Sequence, residues 1–244
     1  ILAFIPEEYW EIYLEFLKDN TNLKAELVRD ANGKIELKNQ EDTDAVISKL
    51  NDEYKIADIS KKIREKGPRP PFITSTLQQE ASSKYNYNGK RTMSIAQKLY
   101  EGIELDSERV GLITYMRTDS FRLSNEFITT AKDYIIDKYG NEYYQGYQEF
   151  KTKAKNVQDA HEAIRPSNVN YTPESVKKYL SSEEYKIYSL IYSRAVSSLM
   201  KNALFEDEKI SIENNGYIFE LNGEKRIFDG YIAEYEKFEN SEKK

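Results

Sequence analysis

The order in which two hydrophobic periodicities occur along the chain limits its folds most. Apolar–polar alternation, the two-residue repeat of a half-buried strand, sits near both ends, and the three-to-four-residue repeat of amphipathic helices fills the middle. Residues 23–28 and 34–37 flank Asp30-Ala31-Asn32-Gly33, a hairpin signal, and 54–63 alternate again. Towards the end, 209–212, 217–221 and 226–228 alternate around turn residues at Asn214-Asn215-Gly216 and Asn222-Gly223. Between them, helices are expected over 75–85 with Thr74, Ser75 or Thr76 as cap, over 92–101, and over 124–139 closed by Gly140. Two more are expected from Thr172-Pro173 and from Ser181 to about Met200. Residues 7–17, where Tyr9, Trp10, Tyr13, Leu14, Phe16 and Leu17 lie among acids, fit a short amphipathic helix, and Thr43 or Asp44 can cap another through Leu50. This order predicts an α+β chain. Its parts are a short helical entry segment (1–20), a discontinuous antiparallel β domain (21–71 plus 204–244) and an inserted, mostly helical domain (72–203), with Pro70-Pro71 at the boundary.

Such a chain needs a core, and 244 residues with 39% hydrophobic and 32% charged side chains can build one. The absence of cysteine excludes a disulfide framework, an iron–sulfur cluster, a thiolate zinc site and a cysteine nucleophile; a single histidine excludes ligand sets with two imidazoles. No apolar run nears the roughly 20 residues that span a bilayer, so a soluble, cytosolic chain is expected. Its first residue is not Met, which suggests a piece of a longer protein. A net charge of −6 argues against nucleic-acid binding on average, yet 61–98 carry nine basic side chains against two acidic ones, interleaved with Ser, Thr, Gln and Asn. Two readings of that stretch stay open, a phosphate-facing surface or a solvated face with a linker.

One segment concentrates chemistry: Gly111-Leu112-Ile113-Thr114-Tyr115-Met116-Arg117-Thr118-Asp119-Ser120. Arg117 can grip a phosphate with two parallel N–H donors while Thr114 and Thr118 donate to its oxygens. Tyr115 would then be the nucleophile, a phenol that needs a cation or a proton acceptor beside it because its ordinary pKa is about 10. With 20 tyrosines in the chain, packing or base stacking is the commoner role for any one of them. A second cluster, Asp159-Ala160-His161-Glu162-Ala163-Ile164-Arg165-Pro166, sets the only imidazole between carboxylates. That histidine is either structural or a group that donates to a phosphate or moves a proton.

Together these phrases resemble the type IA DNA topoisomerases, the bacterial ones in particular. The resemblance runs through Gln97-Lys98-Leu99-Tyr100-Glu101, a spacer of eleven residues, and Ile113-Thr114-Tyr115-Met116-Arg117-Thr118-Asp119. It extends to the phrases at 3–10, 70–82 and 159–166 and to Arg226-Ile227-Phe228-Asp229-Gly230, and so covers nearly the whole chain. It implies that Tyr115 attacks a backbone phosphate of single-stranded DNA, giving a 5′-phosphotyrosine and a free 3′-hydroxyl. By the same resemblance Arg117 holds the scissile phosphate, and His161 contacts it or assists proton transfer. Gln97, Thr114, Thr118, Asp119 and Arg165 match positions lining the cleavage site or the nearby strand, and Lys90 and Arg91 join a DNA-facing surface.

The implied activity is relaxation of negatively supercoiled DNA through a transient break. Resealing by the 3′-hydroxyl needs no ATP, and the sequence carries no Walker-type phosphate loop. The family also uses Mg²⁺, held by an acidic amino-terminal domain with no counterpart here. The close pair Asp42-Thr43-Asp44 reads instead as a helix cap. The implied partners are single-stranded or underwound DNA and the remaining domains of the same polypeptide, with no membrane, in the bacterial cytoplasm at the nucleoid. Without those domains the piece is expected to be inactive in relaxation. Recombinases and rolling-circle nickases fit poorly with one histidine. A non-catalytic single-stranded-DNA-binding module, its tyrosines stacking on bases, stays open.

Overall fold

The computed structural model describes residues 8–150 and 161–237. In chain order the elements are β1 Tyr13–Lys18, β2 Thr21–Asp30, β3 Gly33–Lys34, α1 Gln40–Ile47, β4 Lys55–Lys66, α2 Thr74–Tyr85, α3 Gly89–Glu101, β5 Ile103–Leu105, β6 Glu108–Val110, α4 Asn125–Tyr139, α5 Pro173–Val176, α6 Ser182–Ser197, β7 Ala203–Asn214, β8 Tyr217–Phe228 and α7 Ile232–Tyr235. The chain thus mixes helices with antiparallel sheet. Two compact units divide it, one from Ile1–Arg64 with Leu204–Ile227 and the other from Glu65–Ala203 with Phe228–Lys244.

The first unit is a sheet in the order β1-β2-β8-β7-β4, with β3 added on β2. Its first hairpin corrects the helix expected over 7–17. Ile12, Leu14 and Phe16 alternate onto the core while Leu17 is 78% exposed, a period of two rather than 3.6. Asp19 and Asn20 close that hairpin with φ of 49° and 63°, the two-residue turn whose twist matches paired strands, and the register runs from Tyr13↔Glu26 to Lys18↔Thr21. Asn215 and Gly216 make the same turn between β7 and β8. β8 then continues unbroken through Asn222-Gly223, where a turn was expected. α1 starts earlier than expected, capped by Asn39, whose side chain accepts from the Asp42 amide at 2.8 Å. Ala25, Leu27, Leu37, Val46, Ile212, Tyr217 and Phe219 complete the core of this unit with Ile12.

The basic stretch seen in the sequence is divided between the units and largely paired. Lys61 meets Glu206 at 3.3 Å, and Arg64 binds Asp207 at 2.7 Å as well as Glu224. Arg69 and Lys84 share Glu80 at 3.4 and 3.1 Å, Arg91 pairs with Glu183, and Lys98 lies 3.9 Å from Glu184. The pairs of Arg64 and Arg91, exposed on both sides, contribute little stability, about 0–1 kcal/mol each, but all of these pairs lower the positive potential of the stretch.

The second unit packs its helices around α6, which is buried on every side over 187–197 and finds partners inside the protein for several of its polar groups. The Ser181–Glu184 capping box starts it. Arg194 pairs with Glu80 at 3.0 Å and lies 4.3 Å over the Phe72 ring. Tyr188 and Tyr192 donate their hydroxyls to the carbonyls of Tyr171 and Val169, both at 2.6 Å, and burial pushes both phenols well above their ordinary range. Tyr192→Phe leaves the Val169 carbonyl without that donor, so a loss of about 1–2 kcal/mol is expected in denaturant unfolding.

Gly230 has φ of +50°, and a Cβ there would meet the carbonyl oxygens of Lys201 and Asn202 at 2.5 Å. The close approach is fastened by the Tyr231 amide, which donates to the Lys201 carbonyl at 2.9 Å. Gly230→Ala must displace backbone and hold a left-handed conformation, so a cost of about 2–4 kcal/mol is expected, read as a lower denaturation midpoint.

Candidate active site

Three segments of the second unit are stitched together to form the site. Phe72 bridges Ile164, Ile113 bridges Pro166, and the Leu112 amide donates to the Leu99 carbonyl at the end of α3 at 2.7 Å. The Thr114 amide donates to the Arg165 carbonyl at 3.0 Å, and the Ile164 amide to the Phe72 carbonyl at 2.8 Å. These bonds hold 112–118 in a fixed course without a regular strand. Along that course burial alternates: Met116, Thr118 and Ser120 are buried, while Tyr115, Arg117 and Asp119 are exposed. The inward positions are filled for physical reasons. Met116 is apolar, the Thr118 hydroxyl accepts from the Ser120 amide at 3.1 Å, and the Ser120 hydroxyl accepts from the Arg122 amide at 3.2 Å.

Tyr115 is 40% exposed, with its ring between those of Tyr100, 5.4 Å away at 66°, and His161, 5.9 Å away at 47°. Its hydroxyl bonds to no described residue, in contrast to the carbonyl-bonded phenols of α6. The Arg117 guanidinium is likewise exposed, with no hydrogen bond or ion pair to a described residue. The phenol and the imidazole thus stand side by side, and the guanidinium is exposed two residues on; these are side chains of the kind that bind an anionic phosphate.

The remaining candidates fall into two sorts. Thr114 and Thr118 bond to the protein itself, Thr114 through a hydroxyl that donates to the Ala163 carbonyl at 2.7 Å. Arg165 is held by Glu162 at 2.7 Å, by the Pro166 carbonyl at 2.8 Å and by the Ser124 hydroxyl at 3.1 Å, and stacks 4.9 Å over Phe127. Gln97 donates to Glu101 at 2.6 Å, and Arg91 stacks 4.2 Å over Tyr87 besides its pair with Glu183. Asp119 and Lys90 are exposed to solvent. Asp159 lies outside the described residues. Tyr100, Glu162 and Thr74 lie inside the phrases 97–101, 159–166 and 70–82, but the sequence offers no signal that makes them site residues: Glu162 reads as a carboxylate flanking His161 and Thr74 as a helix cap.

Among the described residues no three His, Cys, Asp or Glu side chains gather into a metal site, and Asp42 sits in the first turn of α1, accepting from the Lys38 amide at 3.3 Å. These donors do not fit a Mg²⁺ site. No described helix is long and apolar enough to cross a membrane.

The profile of the DNA topoisomerase family matches residues 1–244. DNA topoisomerase 1 of Campylobacter jejuni is 42% identical over 240 residues, covering 96% of this chain and 34% of that protein. The Rickettsia felis DNA topoisomerase 1 is 41% identical over 243 residues, covering 96% of this chain and 31% of that protein. The structure of full-length topoisomerase I from Thermotoga maritima superposes with a TM-score of 0.77 at 35% identity, covering 97% of this chain and 37% of that one. This chain therefore spans about a third of the length of the curated relatives it matches. On this agreement of sequence and fold, the chain belongs to the DNA topoisomerase family.

Proposed function

We propose that this chain is the tyrosine-bearing part of an ATP-independent type IA DNA topoisomerase, with Tyr115 on its mostly helical part as the nucleophile. The Tyr115 oxygen attacks a backbone phosphorus of single-stranded or underwound DNA, the bond from phosphorus to the 3′-oxygen breaks, and that oxygen leaves as a hydroxyl. The product is a 5′-phosphotyrosine, which stores the energy of the broken phosphodiester. After another strand passes, the 3′-hydroxyl attacks the same phosphorus and the phenolate leaves, so no ATP is consumed. Arg117 neutralises charge gathering on the phosphate oxygens, and His161 contacts that phosphate or carries a proton. Asp119, Gln97, Lys90 and Arg91 border the strand, while Thr114, Thr118 and Arg165 shape the site.

The observation that carries this reading is the exposed Tyr115 phenol beside the His161 ring, with no bond to a described residue, and two residues on an exposed Arg117 that likewise bonds to no described residue. Mg²⁺ and the remaining DNA contacts belong to other domains of the same polypeptide, in the bacterial cytoplasm at the nucleoid. The 244-residue chain alone is expected not to relax supercoiled DNA. The test mixes the full-length parent with end-labelled single-stranded oligonucleotide, denatures it and maps any covalent peptide–DNA adduct. An adduct on Tyr115 is expected; tight binding with no adduct would instead make the chain a base-stacking, non-catalytic module.

A further inference from the structure

Thr74 begins α2, where its side chain reads from sequence as a helix cap, yet its bonds point elsewhere. Its hydroxyl donates to the Met116 carbonyl at 2.8 Å, with the Thr118 carbonyl 3.1 Å away, and accepts from the Thr118 amide at 2.9 Å. Its own amide donates to the Thr118 carbonyl at 3.0 Å. An amide in the first turn of a helix has no acceptor within the helix, so both polar groups of Thr74 are available sideways: the amide goes to Thr118, and the hydroxyl to Met116 and Thr118. On the other side of Tyr115, the Thr114 hydroxyl donates to the Ala163 carbonyl at 2.7 Å and accepts from the Arg165 amide at 3.0 Å. Two hydroxyl clamps thus bracket the exposed phenol and guanidinium.

We propose that Thr74 is a positioning residue for strand cleavage: by holding the peptide from Met116 to Thr118 it keeps Tyr115 and Arg117 aimed at one phosphate. The proposal rests on the reading of Tyr115 as nucleophile. The clamp needs a group that donates and accepts at once. Serine keeps both functions, valine matches the shape without either, and aspartate accepts from the Thr118 amide but cannot donate to the Met116 carbonyl.

The test is single-turnover cleavage of a labelled single-stranded oligonucleotide by the full-length parent and its variants, with DNA affinity and thermal unfolding measured beside it. Thr74→Val is expected to slow cleavage by about ten- to a hundredfold at unchanged affinity, since small displacements of reacting groups cost that much, and Thr74→Ser to cleave within about threefold of the parent. Ser181→Ala, which removes the α6 cap, is the control: it is expected to lower the unfolding temperature and to cleave at the parent rate. If Thr74→Val does not fold, Thr74→Asp carries the same expectation. Cleavage by Thr74→Val at the parent rate, failure of Ser to rescue, or an equal slowing in Ser181→Ala overturns the proposal. Absence of an adduct in the unaltered parent instead overturns the reading of Tyr115, and the role of Thr74 with it.

Discussion

Tyr115→Phe in the full-length parent is expected to abolish the covalent DNA adduct, a loss on the order of 10⁴-fold or more, while single-strand affinity stays within about twofold. The substitution removes one oxygen atom. That oxygen bonds to no described residue, and the ring keeps its contacts with Tyr100 and His161. Stability should therefore change by less than about 0.5 kcal/mol, unlike the loss expected at Tyr192, whose hydroxyl reaches a buried carbonyl. This separation gives the experiment its force: a fold defect cannot account for a missing adduct in a variant that unfolds with its parent. An adduct that forms at the parent rate in Tyr115→Phe would remove this residue from the chemistry.

Arg117→Ala should slow adduct formation by about 10²–10³-fold, the usual cost of removing one group that stabilises charge in a transition state. Its guanidinium has no described ion pair to break, so the folded chain should lose nothing measurable. Arg117→Lys should recover only part of the rate. An ammonium retains the charge but cannot make two parallel bonds to a phosphate. Affinity measured across salt concentrations gives an independent readout. Loss of one phosphate contact should reduce the slope of log affinity against log salt by about 0.7 for single-stranded DNA. Cleavage by Arg117→Ala at the parent rate would assign this residue to binding or to the surface alone.

How far the candidate site could be read in the sequence differs from residue to residue. Tyr115, Arg117 and His161 stand out by their chemistry and are exposed or half-buried, as are Asp119 and Lys90. Thr118 reads as the same chemistry, yet it is buried, its hydroxyl accepting from the Ser120 amide. Nothing in Tyr-Met-Arg-Thr-Asp says which alternate side chains face inward. That depends on Thr74, which lies over 40 residues away in sequence and holds the Thr118 amide. The basic stretch shows the same limit. Its positive charge is plain in composition, but the carboxylates of Glu206, Asp207 and Glu224 that meet Lys61 and Arg64 arrive from strands more than 140 residues later.

What the sequence determined by itself is the local structure that a few neighbouring residues decide. Ser124, Thr172 and Ser181 cap α4, α5 and α6 through bonds spanning three residues, and Asn215-Gly216 turns one strand into the next. Only the tertiary structure decided that residues 13–18 pair as a strand, that β8 passes straight through Asn222-Gly223, and which atoms around Tyr115 stay open to a ligand. The physical reason is the range of the forces involved. Caps and turns are satisfied within a few residues of backbone, whereas strand pairing, burial and the neutralisation of charge are settled by partners that only the folded chain brings together.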